Sequence, residues 1–379
     1  MPSGIGGAGQ GALESASCEF VEQGFGTTGT TSLQVETLAS GLEVPWGMAF
    51  LPNRDLLFTE RPGRVRIIRS NALQPTPVVQ INAYASGEAG LLGITIDPDF
   101  DLNRFFYLYY TLQKASGLVN RVERYSLSID SRSASADRVI FDDIPGNTTH
   151  NGGRLKFGPD GMLYIGTGDA SSPALAQQNN SSAGKILRLL PDGRIPSDNP
   201  SSGSPAFVSG LRNTQGFDWL NSKTLFVADH GPTGEFGRRG SDEINLANAG
   251  DNLGWPNTWR CDATSQMTAP LLTWSQATPP GAMVLYRGNA IPDWQGNLIV
   301  TTLGSKHLHR IILETQTDSV RIAGHEVYLE GDPPRGFGRL RDVVNGPDGF
   351  LYVTTSNCDG RGTCPAEKDR ILKLNLNIR

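Results

Sequence analysis

The sequence predicts an all-β protein, a six-bladed β-propeller of four-stranded antiparallel blades. Three observations carry that expectation. A turn-and-strand unit recurs six times along the chain. The 379 residues include 45 glycines and 24 prolines, which suits tight turns better than long helices. No extended 3.6-residue hydrophobic periodicity runs through it.

Each unit is a Pro/Asp/Asn/Gly turn followed at once by an apolar strand that ends in small polar residues. The first reads LPNRDLLFTE from Leu51, the second DPDFDLNRFFYLYYT from Asp97 and the third GPDGMLYIGTGD from Gly158. The fourth is DWLNSKTLFVADHG from Asp218, the fifth DWQGNLIVTTLG from Asp293 and the sixth GPDGFLYVTTSN from Gly346. The turns supply Gly or Asn for positive φ, and LLF, LYI, LFV, LIV and LYV supply the β-branched and aromatic residues that strands favour. Their spacing leaves room for about four short strands per unit, the period of a propeller or solenoid. A β-sandwich with repeated hairpins is the competing all-β reading.

Residues 1–31 read as a Gly/Ser-rich, partly ordered lead-in, and 32–379 as a single propeller domain. The segments SSPALAQQNNSSAG (Ser171 to Gly184) and PTGEFGRRGSD (Pro232 to Asp242) read as long inter-strand loops, expected to gather on one face and build a site.

A net charge of −5 with no run of Lys or Arg argues against a nucleic-acid partner and points to small molecules. No stretch approaches the roughly 18 consecutive apolar residues of a membrane span, and the opening MPSGIGGAGQ has neither a charged nor an apolar leader region. Cys358 and Cys364 bracket a Gly-rich loop, CDGRGTC, a natural place for a disulfide, which leaves Cys18 and Cys261 as the other candidate pair. Four cysteines allow three connectivities, and four reduced thiols are the alternative. A bridge would imply an oxidising compartment, periplasmic or secreted.

Candidate chemistry sits in four segments. HNGGRLKFGPDG puts His150 just ahead of Gly152 and Gly153, so the backbone can turn tightly and leave the imidazole facing a cavity. Asp169, in GTGD at the end of the same hairpin, is placed to orient the second ring nitrogen of a general base. GLRNTQG groups Arg212, Asn213 and Gln215, and GRLRDV sets Arg339 and Arg341 on one face of a strand. Two like-charged guanidiniums side by side call for an anion between them, and surface pairing with acids such as Asp342 is the plainer alternative. DHGP followed by Asp242, Glu243 and Asp251 offers carbonyls and carboxylates to a hard cation, with spacing unlike an EF-hand.

In order along the chain, VPWGMAFLPNRDLLFTERPGRVRII, EAGLLGITIDPDF, HNGGRLKFGPDG, GLRNTQG, DHGP, DEIN, NLGWP, RLRDVVNGPDG and DGRG followed by DRIL resemble the soluble PQQ-dependent glucose and aldose sugar dehydrogenases. The likeness runs from about Leu42 to the C-terminus and is closest to the broad-specificity aldose branch. It implies a six-bladed propeller that oxidises aldoses at the anomeric carbon to lactones, using pyrroloquinoline quinone (PQQ) and Ca2+. It casts His150 as the base, Asp169 as its partner, and Arg212, Asn213 and Gln215 as cofactor contacts. Arg339 and Arg341 match the cofactor's carboxylate and quinone clamp, with Arg212 also at the reacting centre, and the carbonyls of Gly231 and Pro232 match the calcium ligands. Glu88 stands where the glucose enzymes carry Gln; Gly304 aligns with their cofactor lysine, which makes Lys306 a displaced contact. The expected partners are an aldose and an external electron acceptor, with the chain a monomer or homodimer. A calcium-dependent lactonase-type hydrolase would leave the paired arginines without work, and a non-catalytic sugar-binding propeller would have no use for His150.

Overall fold

The structure, a computed structural model, describes residues 14–15, 17–316 and 319–377. It is built of six small sheets, each with a four-strand antiparallel arrangement, set in a ring. The innermost strands are Pro45–Phe50, Leu91–Ile96, Gly152–Phe157, Thr214–Trp219, Pro280–Leu285 and Leu340–Asn345, and each touches the next until the last meets the first. The expected six-bladed propeller is therefore the fold.

All six recurring units fall in the same place, the turn and second strand of a blade. Those strands are Leu56–Glu60, Phe105–Lys114, Leu163–Thr167, Leu225–Asp229, Leu298–Thr302 and Leu351–Thr355. Five of the six are buried at every residue, which is why they read as unbroken apolar runs rather than alternating ones: both faces of a blade are covered by its neighbours. The two GPDG copies make the same turn. Gly161 (φ +72) and Gly349 (φ +83) take the left-handed position, and Gly158 and Gly346 donate across to Met162 and Phe350.

Six apolar clusters lie at the six blade interfaces. Leu57 and Val65 meet Leu91 and Phe106 between the first two blades, for example, and Met48 and Phe58 meet Tyr352 and Ile371 where the last returns to the first. Ring closure is made by sequence-distant strands: Leu33–Leu42 forms the outer strand of the sixth blade, antiparallel to Asp369–Leu376. Some blades exceed four strands, because Glu19–Val21 adds in parallel to Leu272–Trp274 and Thr27–Thr28 adds in parallel to Ser319–Tyr328. The bridge Cys18–Cys261 pins this segment, and Cys358–Cys364 closes the predicted short loop. Among the described residues no helix is long and apolar enough to cross a membrane.

Every inner strand carries a register shift at its start, between Pro45 and Gly47, Leu91 and Ile94, Gly152 and Leu155, Thr214 and Gly216, Pro280 and Ala282, and Leu340 and Asp342. Such bulges re-aim the side chains around them. All six therefore act at one mouth of the central channel.

Candidate active site

A cavity of about 410 Å³ occupies that mouth, lined by the starts of the inner strands and the long loops that return to the same face. Of the residues singled out in the sequence, Glu88, His150, Arg212, Asn213, Gln215, Gly231, Pro232, Arg339 and Arg341 all line it. Asp169 lies one layer behind. Lys306 is not among the lining residues: its backbone is left-handed (φ +55) and its ammonium pairs with Asp332 at 2.6 Å, while Leu303 of the same hairpin faces the cavity. The expectation of a displaced lysine contact thus finds no support in the geometry.

His150 has φ +57, and Gly152 and Gly153 follow at +64 and +116. The two glycines are needed, because a Cβ on Gly152 would meet the Gly166–Thr167 backbone at 2.5 Å and one on Gly153 would meet Leu92 at 2.9 Å. Three groups hold the histidine in this conformation. Its N–H donates to Glu88 Oε2 at 3.0 Å, its carbonyl accepts from Ala170, and its Nδ1 lies 2.8 Å from Asp169 Oδ1. Asp169 is fully buried and also accepts from Trp255 Nε1 at 2.9 Å and from the Ser171 N–H at 2.8 Å. An ionised carboxylate only accepts, so Nδ1 carries the proton and Nε2 is left as a lone-pair acceptor on the cavity side. Nε2 lies 4.0 Å from Glu235 Oε1.

Arg212 and Asn213 precede the fourth inner strand, where both backbone N–H groups donate to the Asp229 carboxylate at 2.7 and 2.8 Å. Burial pushes that carboxyl up to about 7 despite these bonds. The Arg212 guanidinium pairs with Glu235 at 2.5 Å. Asn213 Oδ1 accepts from the Gly152 N–H (2.9 Å) and from Gln215 Nε2 (3.2 Å), tying the histidine hairpin to this strand. His230 stands beside them with its Nε2 2.7 Å from the Pro280 carbonyl, and burial lowers it to about 3, so it stays neutral.

Arg339 is neutralised by Asp359, with Nε and Nη2 at 2.9 and 2.8 Å from Oδ2. Arg341 is different. It is 7% exposed, its Nη1 donates to Gln215 Oε1 at 2.8 Å, no carboxylate among the described residues is bonded to it, and its Nε has no hydrogen-bond partner. Burial, with the nearby Arg339 and Arg61, pushes this guanidinium down to about 9 against the opposing pull of Asp359 and Glu88. Arg154 is bonded to Asp342 at 2.8 Å and sits over the Trp46 ring at 4.7 Å. A buried fork of donors with no acid against it is a site for an anion with planar acceptor groups.

At the opposite wall Gly231 packs so closely on Gly240 and Ser241 that a Cβ would approach their carbonyl oxygens to 2.1 and 2.3 Å. The Gly231 N–H donates to Asp242 Oδ1 at 2.9 Å, and burial raises this carboxyl to about 6. Among the described residues no group of three or more His, Cys, Asp or Glu is placed to hold a metal ion, so a cation here would rest on carbonyl oxygens.

The family model for glucose/sorbosone dehydrogenases matches residues 42–366. The chain belongs to that family. Among curated relatives of this chain, the aldose sugar dehydrogenase of Escherichia coli is 33% identical over 355 residues, covering 87% of this chain and 91% of the relative. Among solved structures, a putative oxidoreductase (glucose dehydrogenase) from Thermus thermophilus superposes with a TM-score of 0.82 at 41% identity, covering 90% of this chain and all of the other. The PQQ-bound form of the aldose sugar dehydrogenase from Streptomyces coelicolor gives 0.80 at 33% identity, over 92% and 99% of the two chains.

Several lining residues of the cavity were not picked out from sequence: Trp46, Arg61, His230, Glu235, Asp359 and Arg361. His230 directly precedes the Gly-Pro pair, and Asp359 and Arg361 lie between the paired cysteines, so adjacency to a recognised motif was the available signal.

Proposed function

We propose that the protein is a quinoprotein aldose sugar dehydrogenase that oxidises the anomeric carbon of an aldose to the lactone. The observation that carries this reading is the meeting, in one cavity, of an Asp-anchored histidine with a free Nε2 and a buried arginine, Arg341, lacking an anionic partner. Family membership and likeness to a PQQ-bound structure support it. Arg339, Arg341, Arg212, Asn213, Gln215 and Glu88 would hold PQQ, and the carbonyls of Gly231 and Pro232 would hold calcium. When bound, PQQ supplies a two-electron acceptor and calcium offsets its negative charge.

The protein's own part is proton chemistry and placement. His150 Nε2 removes the anomeric hydroxyl proton as the carbon gives up its hydride, leaving the carbonyl of the lactone, and Asp169 stabilises the imidazolium that results. Arg212, 1% exposed, lining the same cavity and paired with Glu235 at 2.5 Å, would set its guanidinium near the negative charge that develops on the sugar oxygen. The catalytic unit is the propeller domain of residues 32–379. An external acceptor must then regenerate the cofactor, and two disulfides suit a periplasmic or secreted setting.

The test is reconstitution. Adding PQQ and calcium together should produce sugar-dependent dye reduction, and exhaustive chelation should abolish it; activity that survives removal of both would overturn the reading.

A further inference from the structure

Resting on the assignment of His150 as the base, we propose that Arg361 is a positioning residue for His150, acting through Glu88, and that the Cys358–Cys364 loop holds it there.

The connection is continuous and short. Arg361 Nη1 lies 2.7 Å from Glu88 Oε1, and Glu88 Oε2 accepts the His150 N–H at 3.0 Å. On the other side the Arg361 N–H donates to Asp359 Oδ1 at 2.9 Å, while Asp359 Oδ2 holds Arg339 and Ser356. One disulfide-closed loop therefore places a carboxylate against the arginine clamp and a guanidinium against the support of the base. A residue with a side chain keeps φ near +57 only when its surroundings impose it. Asp169 fixes the ring and Glu88 fixes the backbone, and Arg361 is the side chain that fixes Glu88.

A rim ion pair with a 56% exposed arginine has a simpler reading, a solvated contact of little consequence. The two differ in what happens to Glu88. His150, His230, Arg361, Arg61 and Arg341 all face this carboxyl. Burial works to raise it; the Arg361 charge and the His150 N–H outweigh burial and leave it below its ordinary value. Without Arg361, Glu88 takes up a proton at higher pH, and its grip on the His150 N–H weakens there.

Histidine-selective ¹⁵N labelling of the cofactor-free protein reads this directly, because the His150 amide reports protonation of the carboxylate it touches. In Arg361→Gln the midpoint of that amide's acid titration should rise by about one pH unit. On reconstitution the acid limb of kcat should move the same way with KM for the sugar little changed, and Arg361→Lys should restore most of both. Cys358→Ser/Cys364→Ser, which frees the loop without touching a charge, should shift the midpoint in the same direction. An Arg361→Gln protein whose amide midpoint and kcat profile coincide with the parent's overturns the proposal. An inactive parent enzyme with PQQ and calcium would instead overturn the dehydrogenase reading, leaving the amide titration to stand by itself.

Discussion

At the scale of single residues the site divides into a group that moves a proton and groups that hold an anion. His150 makes no direct contact with Arg339 or Arg341, and Arg341 is held through Gln215. His150→Ala should therefore leave PQQ binding nearly intact while lowering kcat roughly 10² to 10⁴-fold, the usual worth of a positioned base. Turnover at saturating PQQ and calcium checks this, and a rate close to the parent's would make His150 a bystander. Arg341→Ala should do the reverse. Losing one charge-assisted donor pair weakens cofactor affinity by roughly 10- to 100-fold, read as the PQQ concentration needed for half-reconstitution. Lys306→Ala should alter neither quantity, since its ammonium is spent on Asp332 outside the cavity lining.

At the scale of elements, the bulged starts of the inner strands explain why short motifs carry so much. GLRNTQG, HNGG and GRLRD each span the last loop residues and the first bulge of an inner strand, so a few consecutive residues reach the same mouth. The two disulfides differ in reach. Cys358 and Cys364 are 6 residues apart and Cys18 and Cys261 are 243 apart. Chain entropy alone assigns about 2 kcal/mol to the first and about 5 kcal/mol to the second. Removing the long bridge by Cys18→Ser/Cys261→Ser should lower the melting temperature more than removing the short one, while the short one acts on the site. Thiol titration of the denatured, unreduced protein should find no free thiol; two would show that one bridge is absent and four that both are.

At the scale of the whole molecule, stability follows from closing the ring and from what closure buries. Three of the five histidines, His307, His309 and His325, pack together in the fifth blade beneath Phe25 and Gly26. Burial holds His309 well below its ordinary value and lowers His307 to about 4. An unfolded histidine gains its proton near pH 6.5, so the unfolded chain binds more protons below that point, and this cluster withdraws stability as pH falls from about 6.5 towards 4. Asp229, raised to about 7, opposes that slope in the metal-free protein, so the difference between variants is the useful quantity. His309→Phe keeps an aromatic ring against Trp274 and removes one titrating group. Its melting temperature relative to the parent should rise steadily between pH 7 and pH 5, and a constant offset would show that the cluster does not set acid stability.

The sequence by itself determined the blade count, the class of fold and most of the residues that line the candidate cavity, because each is written locally. A GPDG turn, a buried LYI or LYV strand and a histidine before two glycines all act through their neighbours in the chain. What stayed out of reach was set by partners far along it. Leu33–Leu42 reads as an ordinary strand, and only its pairing with Asp369–Leu376 makes it the closure of the ring. Arg339 and Arg341 look equivalent two residues apart, yet Asp359 bonds one directly, and the packed ring leaves the other buried with no acid among the described residues bonded to it. Lys306 looked available until the fold set Asp332 beside it, and Arg361 and Glu88, far apart in sequence, meet at 2.7 Å only across the channel mouth. Charge pairing depends on distance in space, and in a closed ring of six sheets that distance is fixed by which blade a residue rides on.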